Sequence, residues 1–184
     1  GGGALTLSRS QTGNGSIITT GANFGGTTTS TPAATISNGT LVVGDANNFI
    51  NVGDNGQVRD LEISAAIDGT IRHDGAGGLA LLANNAALTS VIANGGIIVV
   101  GNDGALGTGN LVVNASSAIQ SDDDVSLRTI SNNISFAAAG TLTLGGLQGL
   151  APLLFTGSLT NQATFNRTFT TFNSSTRCTG DYDA

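Results

Sequence analysis

"GNDGALGTGNLVV" (Gly101–Val113) decides how the chain is read. Its first nine residues are glycines with small polar and small apolar neighbours, and its last three are Leu-Val-Val. Immediately upstream stands "GGIIVV" (Gly95–Val100). One apolar run therefore ends at a glycine, a turn-rich loop follows, and a second apolar run begins. Glycine, asparagine and aspartate accept the backbone angles of tight turns, whereas valine and isoleucine suit a pleated strand. The stretch is predicted to be a corner between two strands, "GNDGALGTG" turning and "LVV" starting the next strand.

Working outward, the same grammar repeats. Alternating apolar residues run through "GALTLS" (3–8), "GTLVVG" (39–44), "NLVVN" (110–114), "SAIQS" (117–121), "VSLRTI" (125–130), "NISFA" (133–137) and "GTLTLGG" (140–146). Residues 61–72, "LEISAAIDGTIR", come closest to a helix. Leu61, Ile63, Ala65 and Ile67 alternate, however, and that is strand periodicity. Strands of four to six residues separated by turns are expected throughout.

Composition narrows the class. Of 184 residues only 10% are charged, against about 25% in ordinary domains. Glycine accounts for 28 positions, and Asn, Ser and Thr together for 58. A hydrophobic share of 39% with a net charge of −6 argues against disorder. Phosphate backbones are bound by clustered Lys and Arg; six scattered arginines and no lysine do not supply that, so no nucleic-acid partner is expected. No apolar run approaches the roughly 20 residues of a spanning helix, so no transmembrane segment is expected, and "GGGALTLS" shows no signal peptide. The lone Cys178 excludes an internal disulfide framework.

Two motifs recur in order. "GGGALTLS" (from Gly1), "GAGGLALLANN" (from Gly75) and "AAAGTLTLGG" (from Ala137) share an apolar triplet at spacings of 74 and 63 residues. "SNGTLVVGDANN" (37–48) and "ANGGIIVVGNDG" (93–104) place their terminal glycines, Gly44 and Gly101, 57 apart. The first copy carries an insertion of about 17 residues, expected within 11–32. Residues 75–113 resemble the autotransporter-associated β-strand repeat, including the "ALGTG" of Ala105–Gly109, with weaker copies near 1 and 137. The aromatic-Gly-Gly element of that pattern is missing after Asn85, although Phe24-Gly25-Gly26 supplies it in the first copy. The resemblance implies an all-β fold, a right-handed parallel β-helix with irregular Gly/Asn-rich turns. It also implies an extracellular or bacterial cell-surface setting, with host or environmental glycans as partners of an adhesin or stalk. Physically, each turn would bury Val, Ile and Leu against its neighbours, with strands about 4.8 Å apart; Val99 and Val113 are expected to point inward.

Candidate chemistry is sparse. Asp122, Asp123 and Asp124 form the one acidic run, with Arg128 near. One reading is a calcium site with an arginine base, as in a carbohydrate-active β-helical enzyme; the other is a solvated turn, since consecutive strand residues face opposite ways. "DYDA" (Asp181, Asp183) resembles the opening of a D-x-D calcium loop. His73 lacks a second histidine or a nearby cysteine and is expected on a surface turn. N-x-S/T sequons start at Asn14, Asn38, Asn114, Asn133, Asn166 and Asn173, about the number that chance allows, and "TTTSTP" (27–32) is expected to be an exposed loop. No catalytic or cofactor-binding residue is assigned, and no enzymatic activity is expected.

The organisation expected is a set of β-helix repeats over 1–158 and C-terminal strands with a tail over 159–184. Neither end carries the charges or proline that blunt a sheet edge. Head-to-tail self-association is therefore expected, joined through Leu5 and Leu7 at one end and Phe165, Phe169, Phe172 and Cys178 at the other.

Overall fold

The structure is a computed structural model and describes residues 4–7, 15–20, 33–43, 48–123, 125–145, 151–161, 167–171, 176–179 and 182–183. Among them every regular element is a strand. In chain order these are β1 (Ala4–Leu7), β2 (Gly15–Thr20), β3 (Ala34–Ile36), β4 (Thr40–Val43), β5 (Asn48–Val52), β6 (Leu61–Ile63) and β7 (Ala66–Asp74). Then come β8 (Gly78–Leu81), β9 (Leu88–Asn94), β10 (Ile97–Val100), β11 (Asn110–Val113), β12 (Ser117–Ser121), β13 (Arg128–Ile130) and β14 (Ile134–Phe136). The last are β15 (Gly140–Leu144), β16 (Leu153–Phe155), β17 (Leu159–Asn161), β18 (Arg167–Thr171), β19 (Arg177–Cys178) and β20 (Tyr182–Asp183).

Every pairing among these strands is parallel, and partners come from successive turns of the chain. One sheet runs β1-β4-β7-β9-β11-β14-β17-β20, a second runs β18-β15-β12-β10-β8-β6-β3, and a third is β13-β16-β19. The fold is a parallel β-helix. The predicted corner is present: residues 101–109 turn the chain from β10 in the second sheet to β11 in the first.

Register turns a repetitive sequence into a core. Leu61, Leu79, Ile98, Ile119 and Leu144 are successive partners in the second sheet. Ile71, Val91, Leu111, Ile134 and Leu159 are their counterparts in the first. All of these are buried except Leu159, which packs against the cluster partly buried. Each large apolar side chain taken wholly out of water contributes about 1.5–3 kcal/mol. A single short strand could not hold its place alone; stacked on its neighbours it is covered on both sides.

Two local expectations need correction. Val113 lies in the core cluster as expected. Val99 is also fully buried, but it alternates with Ile98 and Val100, which are the core members of β10, so it occupies the opposite face of the sheet. "VSLRTI" forms a strand only over Arg128–Ile130. Upstream, the Asp123 carboxylate accepts the Val125 and Ser126 amides and folds the chain into a turn, leaving Val125 and Leu127 exposed. The insertion expected in 11–32 lies largely outside the described residues.

The turns approach one another so closely that some positions admit no side chain. A Cβ on Gly109 would collide with the Thr89 carbonyl of the turn below, which is backbone and cannot swing aside. Gly56 has a φ of +76° with open space around it. Gly109→Ala is expected to destabilise the fold by several kcal/mol, as overpacking against rigid backbone does. Gly56→Ala should cost only about 1–2 kcal/mol of left-handed strain. Urea midpoints for the two variants would reverse this order if the tight stacking at Gly109 were absent.

Candidate functional site

The acidic run sits where β12 ends. Asp122 and Asp123 occupy the turn that leads to β13, and Arg128 reaches back to both from the start of that strand. The guanidinium places Nη2 at 2.8 Å and Nε at 3.2 Å from Asp122 Oδ1, and Nη2 at 3.4 Å from Asp123 Oδ2. Asp123 Oδ1 accepts the Ser126 amide at 2.7 Å and the Val125 amide at 3.0 Å. Hydrogen bonds from the Ser126 hydroxyl, then from the Ser126 and Val125 amides, hold the Asp123 carboxyl down to about 2, with Arg128 adding to the effect. That contribution to folding is complete above the usual 3.8 and is lost as pH falls toward 2. A calcium ion between Asp122 and Asp123 would have to displace the guanidinium and meet its charge. Both carboxylates are committed to shaping the turn. Asp124 and Asp181 lie outside the described residues, and the backbone of Asp183 pairs with Thr160.

His73 is not on a surface turn. It lies in β7, completely buried, in register with Ile50 of β5 and Ala93 of β9. Neither ring nitrogen has a hydrogen-bond partner. The cause is alternation: Ile71 and His73 share the inward face of β7, while Arg72 and Asp74 between and beside them point away from it. Burial pushes the imidazole from 6.5 down to about 4, against the opposing pull of Asp74 and the Gly95 backbone.

Most other buried or half-buried polar side chains link one turn to the next. Asn85, fully buried, accepts the Ile67 amide at 2.9 Å and donates to the Ala105 carbonyl at 2.7 Å. Asn132 donates from one side-chain nitrogen to the carbonyls of Leu106, Gly107 and Gly109. The "ALGTG" turn is thus held from the turn below and from the turn above. Asp60, buried, accepts the amides of Asn55 and Gly78. At one corner Asn114 donates to Asn94 at 2.9 Å and Asn94 to Asp74 at 3.1 Å, while Arg72 grips Asp74 through two nitrogens and lies 4.5 Å from the Phe49 ring centre. The sequence makes Asn, Ser and Thr ladders at equivalent positions expected, but it singled out none of these residues, although Asp74, Asn94 and Asn114 fall 20 apart, a visible signal.

The expected junction residues are spread over both ends of the stack. Leu5 and Leu7 pair in register with Leu41 and Val43, and Phe169 with Leu142. Cys178 pairs with Phe155, is exposed, and has its thiol raised by partial burial. Phe165 and Phe172 lie outside the described residues. No helix among the described residues is long and apolar enough to cross a membrane.

The two kinds of polar site should separate in a denaturation experiment. Asn132→Ala leaves three turn carbonyls without their donor and is expected to cost about 2–3 kcal/mol. Arg128→Ala breaks a partly exposed ion pair and should cost under about 1 kcal/mol. Equal losses in the two variants would show that the acidic turn matters to folding as much as the asparagine does.

In comparisons with known proteins, no family model, no curated protein and no solved structure matches the chain.

Proposed function

We propose that the chain is an extracellular structural protein, a β-helical subunit of a surface fibre in which copies stack head to tail. The observation that carries this reading is the direction of the polar bonding. Asp60, Asn85, Asn94, Asn114 and Asn132 each bond to a neighbouring turn. Thr89 likewise bonds back to Thr70 and to the Gly69 carbonyl. Chemistry-bearing side chains are used here as mortar between layers.

A solenoid held by nearest-neighbour contacts has no intrinsic length, because each turn offers the next the same ladder. Main-chain groups on an open sheet edge invite strand addition. A contact between unlike ends grows into a fibre unless it closes into a ring. A passenger-type stalk or adhesin on a bacterial surface is the same architecture displayed differently, and the repeat in 75–113 favours that setting. A carbohydrate-active role would need Arg128 as a base, and its bonds to Asp122 and Asp123 favour a turn-shaping role instead.

Light scattering across a concentration series, with electron microscopy of the same samples, tests the reading. Scattering that rises with concentration and unbranched fibres in the images are expected. Chains that stay monomeric at the highest concentration would overturn it.

A further inference from the structure

We infer that His73 is the bolt of an acid-sensitive latch: a proton on its imidazole opens the glycine corner that joins the first and second sheets. Two features of the molecule meet at this residue. The side chain is completely buried and both ring nitrogens are unpartnered. The chain also turns twice beside it, at 75–77 between β7 and β8 and at 95–96 between β9 and β10.

The packing leaves an imidazolium nowhere to go. A Cβ on Gly96 would lie 2.7 Å from His73 Cε1 and 2.5 Å from the Gly77 carbonyl oxygen, so the ring occupies the space a side chain at 96 would need. The neighbouring strands β5, β8, β9 and β10 contain no charged residue, and neither do the turns 75–77 and 95–96. Asp74 is the adjacent charge, but its carboxylate is already held by Arg72 and Asn94. Asp60, the other carboxylate at this corner, accepts the Gly78 and Asn55 amides. The Gly95 backbone favours the charged ring less than burial disfavours it, so a cation here is strongly disfavoured. The ring is relieved by leaving the core, which means parting the bonds of the corner: Gly77 amide to Val52 carbonyl, Ile97 amide to Gly77 carbonyl, and Gly95 amide to the Ser117 hydroxyl.

The direction of the effect follows from linkage. An opened corner frees the imidazole to take its proton at the ordinary 6.5, and the closed corner resists it down to about 4. The closed form is therefore fully favoured above 6.5 and loses ground as pH falls between those values. At tenfold per unit of displacement, the open-to-closed ratio rises by roughly two orders of magnitude across that window.

His73 is the single histidine, so its ring protons give one resolvable NMR signal. Titrating the dilute full chain, below any assembly, should show that signal moving near pH 4. Amide exchange at Gly77 and Ile97, corrected for intrinsic chemistry, should be up to about 100-fold faster at pH 4.5 than at pH 7. His73→Leu keeps the apolar column and should remove this pH dependence. A midpoint near 6.5, or the same pH profile in the native chain and in His73→Leu, would overturn the latch. Should His73→Leu fail to fold, the titration midpoint of the native chain decides alone. Neither measurement depends on fibre formation.

Discussion

Each turn of this chain must come back into register with the turn before it. A parallel ladder of main-chain hydrogen bonds is the interaction that enforces this, and each bond is worth only about 1 kcal/mol net. The ladder counts because it is continuous, running along a path of eight of the first sheet's ten strands and through seven in the second. Once register is fixed, apolar residues of successive turns must share columns, as Leu79, Ile98 and Ile119 do. The same requirement places Gly109 where the backbone of the turn below leaves no room for a Cβ. Polar side chains at the corners inherit it too: Asn94 finds Asp74 on one side and Asn114 on the other because all three stand in the same position of successive turns.

Much of this was legible in the sequence, for a physical reason. Alternation of apolar residues, glycine at corners and an ordered pair of repeated motifs are all read locally, and a solenoid is made of local units. The corner at 101–109, the absence of helix among the described residues, and the burial of Val113 followed directly. What failed depended on a neighbour in another turn. The placement of His73 required knowing that it follows Ile71 on the inward face of β7 and stacks on Ile50 and Ala93. The short β13 is the exception, a local effect: the Asp123 carboxylate caps the turn two and three residues further on. Asn85 and Asn132 look like ordinary loop residues until the carbonyls they serve, about 20 to 26 positions away, are brought beside them.

The turns are not equal in size. In the second sheet, Leu61 to Leu79 takes 18 residues, Leu79 to Ile98 takes 19, Ile98 to Ile119 takes 21 and Ile119 to Leu144 takes 25. The added residues build the third sheet, which begins only at β13. Its first strand has no strand of that sheet beneath it; it has the 101–109 turn. Asp103 of that turn accepts the Thr129 amide, and Asn132 just beyond the strand donates to the turn's carbonyls. Side chains there stand in for a missing strand, which is how a loop can serve as the foundation of a new face.

Because the strands lie across the stack, the ladder bonds point along it. A load applied along that axis pulls on one layer at a time, as on a zipper, and never shears a whole sheet at once. Detaching a layer in the narrow region between Ile71 and Leu111 frees about 20 residues, or roughly 70 Å of extended chain. Under tension the stack would lengthen by repeated small yields, one layer after another. A chain stacked in this way would give up its length layer by layer, and each layer left in place would keep the template on which the next could wind again.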